Sequence, residues 1–163
     1  MLRNRVVREG LVSGLIGATA VAVWFFVVDV MNGIPLHTPQ MLGSAVLSVT
    51  GARFGDTFFV PVLGYTLIHY AAFVLTGLFV AKVVQTSDES PTVLVGLFLL
   101  FAVFEVGFYA MCVVLSMFDV IGALAWYQIG AANVLASASM GTYLWYRHPE
   151  FVPRLSSALR GVR

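Results

Sequence analysis

Five side chains able to do chemistry stand inside otherwise apolar stretches of this 163-residue chain: Asp29, His69, Glu105, Gln128 and Asn133. Ionisable groups are costly in hydrocarbon, so residues of this kind face one another or mark a pathway. Three chemistries suit the set. A carboxyl and an imidazole can pass a proton. The same groups can ligate a metal. Acid, base and amides can also hydrogen-bond and hold helices in register. The spacing gives no support to a metal, because Glu-x-x-His and His-x-x-x-His are both absent. A b-type haem wants two facing histidines, and His37 and His148 fall outside the apolar runs, which leaves His69 alone. Cys112 is the single cysteine, so a disulfide, a thiol redox pair and a zinc site are all unsupported. The sequence therefore predicts no enzyme, no cofactor and no metal site.

The elements that must position these residues follow from composition. Hydrophobic residues make up 60% of the chain and charged residues 10%, against about 25% charged in an ordinary soluble domain. A soluble fold of this size cannot hide so much apolar side chain, so lipid is the expected solvent and partner. A net charge of +1 gives no reason to expect nucleic acid. Four apolar runs lie at about 11–31, 58–81, 93–117 and 121–145. Each has the length that crosses ~30 Å of hydrocarbon at ~1.5 Å per residue. Helices satisfy their own backbone groups in lipid and open strands do not. The expectation is an all-α, four-helix transmembrane bundle forming one domain. Arg3, Arg5 and Arg8 precede the first run as they would in a signal peptide. The run is too long for one and no small-x-small site closes it, so it is read as a retained first span.

Lysine and arginine set the orientation. Arg3, Arg5, Arg8, Lys82, Arg147, Arg154, Arg160 and Arg163 fall on one side of the four-span arrangement, and Arg53 alone falls on the other. By the positive-inside rule both ends are cytoplasmic. Trp145 and Tyr146 sit beside Arg147 as an interfacial anchor. Spans three and four are joined by a very short turn at 118–120, which makes them antiparallel neighbours. The outer loop at 32–57 contains Thr38-Pro39 as a helix start and Gly51 as a stop, so a short helix is expected on the outer surface. The tail at 149–163 spaces Val152, Leu155, Leu159 and Val162 helically among arginines, the pattern of an amphipathic helix on the inner face.

Depth along the spans brings the polar residues together. Asp29 lies near the outer end of the first span, Glu105 and Gln128 fall roughly 10 Å below the outer boundary, and His69 and Asn133 lie somewhat deeper. The sequence predicts that they turn inward and bond to each other. Thr66, His69 and Thr76 share a stripe of the second span with Tyr65 beside it, and Asn133, Ser137 and Gly141 share one on the fourth. Gly10, Gly14, Ala18 and Ala22 recur every fourth residue on the first span, a face on which another backbone can approach closely. That backbone belongs either to this bundle or to another chain. His37 reads as a solvated loop residue, and His148 as a cap or a lipid-facing charge.

The stretches Asp29-Val-Met-Asn-Gly-Ile-Pro-Leu-His-Thr-Pro, Tyr65-Thr-Leu-Ile-His69 and Met140-Gly-Thr-Tyr-Leu-Trp-Tyr-Arg-His-Pro resemble small four-span bacterial inner-membrane proteins of unassigned function. The resemblance implies a bacterial source and the inner, cytoplasmic membrane. It implies no activity. The expected role is that of a non-catalytic accessory subunit in a larger membrane complex, with a respiratory or photosynthetic complex as the natural host. The competing expectation is a small oligomeric transporter or proton conductor in which Glu105 and His69 titrate.

Overall fold

A computed structural model describes residues 2–49, 57–86 and 126–149, together with Pro153, Ser156 and Arg160. The described residues form four helices and no strands: α1 (Leu2–Met31), α2 (His37–Val49), α3 (Phe59–Thr86) and α4 (Trp126–Arg147). The expected span at 93–117, with Glu105 and Cys112, lies outside the described residues, as does most of the tail. Among the described residues two helices are long and apolar enough to cross a membrane, Asn4–Met31 and Phe59–Thr86. The helix α4 is more polar over its described length, because Gln128, Asn133, Ser137, Ser139 and Thr142 interrupt it.

The helix α1 begins at Leu2, well before the apolar run, because its first turns are helical in their own right: Arg5 pairs with Glu9 one turn on at 2.9 Å. At 30 residues it is ~45 Å long, more than hydrocarbon alone requires. It is also the central element. Gly10 and Gly14 lie against Leu78, Phe73 and Val74 of α3, while Gly17 lies against Met140 of α4. Glu9 meets His148, and Trp24 meets Gln128. Rising numbers on α1 meet falling numbers on both partners. Both α3 and α4 therefore run antiparallel to α1 and parallel to each other. It follows that Thr86 and Trp126 stand at opposite ends of the bundle.

The α1–α3 crossing is backbone to backbone. A Cβ added to Gly14 would sit 2.7 Å from the Cα of Val74, and one added to Gly77 would sit 2.6 Å from the nitrogen of Gly14. Only glycine fits on either side. Ala18 continues the stripe fully buried, whereas Ala22 is exposed. The close-approach face of α1 is thus occupied by this chain's own α3 over Gly10 and Gly14. Val21, Phe25, Ala132 and Ala136 make the small core, with Trp24, Phe73 and Ile129 against it. Large apolar side chains point outward, Leu67 at 72% and Val134 at 68% exposure among them. Such exposure suits lipid better than water.

At the far end α1 stops on Gly33, whose φ of +75° is the left-handed conformation glycine adopts freely. The amide of Ile34 donates to the Asp29 carbonyl at 3.0 Å and that of Gly33 to Val30 at 3.0 Å. Together they close a Schellman motif, and Pro35 then prevents the helix from resuming. The helix α2 starts at once and packs on α3. Gly43 touches the Pro61 backbone, while Thr38 and Pro39, earlier in α2, share a cavity with Tyr65 and Thr66, later in α3. The α2 helix therefore runs antiparallel to the first turns of α3.

Candidate functional site

Two members of the predicted polar layer, Asp29 and His69, have partners elsewhere among the described residues. Asp29 is 3% exposed, and both its carboxylate oxygens are used within its own neighbourhood. The amide of Thr38 donates to Oδ2 at 2.8 Å and the Thr38 hydroxyl to Oδ1 at 2.7 Å. The reason lies in how α2 begins. Leu36 accepts the first helical bond, from Gln40 at 3.1 Å, and so stands at the cap position with a side chain that cannot accept a hydrogen bond. Its φ of +64° is a conformation that leucine rarely takes. Asp29 reaches across the turn and supplies the missing acceptor, with its negative charge at the positive end of the α2 dipole. The expectation that Asp29 bonds to His69, Gln128 or Asn133 is corrected on this point: its partner is Thr38, nine residues along the chain.

His69 bonds instead to the α1 backbone. Its Nε2 lies 3.0 Å from the Ala18 carbonyl, and since a carbonyl only accepts, Nε2 carries the hydrogen. The ring stacks on Tyr65 with centroids 5.6 Å apart and leans on Phe73 at 4.8 Å. On the same helix the Thr66 and Thr76 hydroxyls donate to the Val62 and Ala72 carbonyls, so they are satisfied within α3 and do not reach across. One hydroxyl pair does cross between helices, Thr19 with the Tyr70 phenol at 3.1 Å. On α4 the Gln128 backbone carbonyl accepts from Trp24 Nε1 at 3.0 Å. Asn133 is half-buried one face away. Glu105 lies outside the described residues, so no geometry joins it to His69.

The most concentrated charge in the described residues is a group that sequence reasoning missed. Glu9 is 2% exposed near the start of α1. Arg5 donates to its Oε1 at 2.9 Å, Arg147 to the same oxygen at 3.4 Å, and His148 Nε2 lies 2.9 Å from Oε2. Arg5 also reaches the Arg147 carbonyl, one of the last of α4. His148 is therefore neither a lipid-facing charge nor a simple cap. It is one of three cationic or imidazole groups around a single buried carboxylate, and the cluster ties the start of α1 to the end of α4. A signal was present in the one acidic residue among Arg3, Arg5 and Arg8, at the i,i+4 spacing from Arg5. Ser13, one turn on and fully buried, has no hydrogen-bond partner among the described residues.

A cavity of about 110 Å³ lies at the other end of α1, between α1, the start of α2 and α3. Phe25, Leu36, Thr38, Tyr65 and His69 are among its walls. Comparison with protein-family models, with curated proteins and with solved structures finds no match to this chain.

Proposed function

We propose that this chain is a non-catalytic accessory subunit of a larger membrane complex, crossing a bacterial inner membrane four times with both ends cytoplasmic. The observation that carries the reading is the flank of α1 that no described helix covers. From Val12 to Val27, ~22 Å of helix, it forms an open apolar groove of about 670 Å³ with Leu135 and Ser139 of α4. Its floor includes Thr19, Ala20 and Ser139, small side chains of the kind that let a further helix approach. The topology is supported by two separate facts. Thr86 and Trp126 stand at opposite ends of the bundle, and the sequence at 93–117 is apolar and long enough for one crossing. Arg5, Arg8 and Arg147 also gather at one end.

The test is cross-linking from the groove. Cysteines at Leu15 and Val23, treated with a short thiol cross-linker in native membranes, are expected to capture another membrane subunit, and the complex is expected to survive native electrophoresis in mild detergent. A monomer linked only to its own 93–117 would overturn the reading. Labelling of a cysteine at Ser44 only from outside and at Ser87 only from the cytoplasm tests the orientation. Proton flux in liposomes that disappears with Glu105→Gln would favour the transporter instead.

A further inference from the structure

The cavity between α1, α2 and α3 holds an unusual pair of groups for its surroundings. Its walls are mainly apolar, with Val21, Phe25 and Val62 among them, and no lysine or arginine among the described residues lines it. Of the polar side chains that line it, Thr38, Thr66 and Tyr70 are hydrogen-bonded to Asp29, the Val62 carbonyl and Thr19, while Tyr65 and His69, from successive turns of α3, stack their rings. His69 commits its Nε2 hydrogen to the Ala18 carbonyl. In the neutral ring Nδ1 then keeps a lone pair that nothing among the described residues uses. The hydroxyl of half-buried Tyr65 has no hydrogen-bond partner among the described residues and is free to donate. An acceptor and a donor are thus carried on two stacked rings that both line the cavity.

The mouth indicates where a ligand would come from. Ala22 and Phe26 both line the cavity and are both exposed, Phe26 at 48%. They belong to the apolar part of a helix long enough to span a membrane, so the opening faces hydrocarbon. Water is scarce there, and a molecule dissolved in the bilayer is the natural occupant. Size restricts it further. An apolar cavity of about 150 Å³ takes up benzene, so about 110 Å³ is too small for a sterol and takes one ring only if part of it protrudes through the mouth. A fatty-acid carboxylate would find no cation among the described residues of the walls.

The geometry points to a binding site for the hydroxylated ring of a bilayer-soluble phenol or quinol. The ring hydroxyl donates to His69 Nδ1 and accepts from the Tyr65 phenol, while its tail leaves past Ala22 and Phe26 into lipid. This site stands independently of the accessory-subunit reading, since either a subunit or a lone transporter can carry it. The test uses the purified full chain in nanodiscs and calorimetric titration with 4-hexylphenol, against hexylbenzene, which lacks the hydroxyl. Saturable 1:1 binding of the phenol is expected, at least tenfold tighter than any binding of hexylbenzene. Tyr65→Phe keeps the ring and the fold and is expected to weaken the phenol about tenfold, and Ala22→Trp to abolish binding by closing the mouth. Circular dichroism and thermal unfolding confirm that each variant is folded. Equal uptake of both probes, or a phenol affinity unmoved by Tyr65→Phe, would show partition into lipid and overturn the site. Loss of binding in Ala22→Trp with subunit assembly intact separates this result from the fate of the groove.

Discussion

The two ends of α1 are held in different ways. Around Gly10 and Gly14 it meets α3 backbone to backbone, and Glu9 binds Arg147 and His148 at the end of α4, with Arg5 of its own helix as a third partner. Beyond Ala18 the contacts with α3 pass through side chains: His69 to a carbonyl, Thr19 to Tyr70, Phe25 and Tyr65 around a cavity. Glycine opposite glycine brings two helix axes as close as they can come, but only near the crossing. Away from it the helices diverge, and large residues, the start of α2 or a ligand must fill the wedge. The tight end provides rigidity and the wedge provides room. A site for a small molecule belongs in the wedge.

The largest effect is expected where there is no slack. Gly14→Leu places a side chain where the α3 backbone already lies and should cost ~3 kcal/mol, the upper part of the usual range for overpacking. Gly64, on α3 as well but with open space where a methyl group would go, is the control: Gly64→Ala should be near neutral. Thermal unfolding in detergent followed by circular dichroism compares them. If the two variants melt together, the contrast between the ends of α1 is wrong.

Glu9 comes next. Removing one partner from a buried ion pair costs ~3–5 kcal/mol. Arg5 and Arg147 remain 52% and 38% exposed, however, so water can take over much of their solvation. Glu9→Leu should therefore cost ~2 kcal/mol, and Glu9→Gln, which keeps the hydrogen-bond acceptor, about half of that. Equilibrium unfolding in mixed micelles of sodium dodecyl sulfate gives both values. A Glu9→Leu protein as stable as the wild type would mean that the α1–α4 tie carries no weight.

Glu9 also shows where sequence reasoning stops. Gly10 and Gly14 are legible because their spacing on one helix already defines a face. Gly77, which completes the contact, has only Ala81 at the same spacing, a shorter pattern than the one on α1. Glu9 reads as one more charge at the end of a span, because its meaning depends on Arg147 and His148 at the opposite end of the chain. Asp29 is legible as a buried acid, but depth alone gives it partners on other helices. Depth is a one-dimensional coordinate and cannot register that Gly33 and Leu36 turn the chain back on itself. Gly33 followed by Pro35 is the local clue that Thr38 returns to Asp29.

The third expectation concerns that turn. Asp29→Ala should cost ~1 kcal/mol, the usual loss for an N-cap acceptor, and the loss should fall on α2. Asp29→Asn keeps an acceptor and should lose less. Amide hydrogen exchange resolves the location: faster exchange in α2 with α1 and α3 unchanged is expected. Exchange that rises equally in all three helices would make Asp29 a member of the core layer instead of a local cap.

The smallest effect is expected at His69, and it is the one that sharpens the comparison most. The Ala18 carbonyl lies within α1 and takes part in that helix's own ladder, so the His69 hydrogen is a second bond to an atom already served. Losing it leaves no orphaned acceptor. His69→Phe keeps a ring against Tyr65 and Phe73 and removes the Nε2 donor together with the Nδ1 lone pair. The expected cost is ~0.6 kcal/mol, the average for a hydrogen bond between helices in a membrane. A measured loss above ~2 kcal/mol would mean that His69 holds something more than one carbonyl, and Glu105 is the natural candidate by depth. A double-mutant cycle of His69→Phe with Glu105→Gln decides it. Residues that do not meet add within ~0.3–0.5 kcal/mol, whereas members of one network deviate by ~0.5–3 kcal/mol. Additivity would leave the wedge a chamber whose polar groups are free for a ligand. Strong coupling would make it part of a wider polar layer and would bring the proton-conducting reading forward.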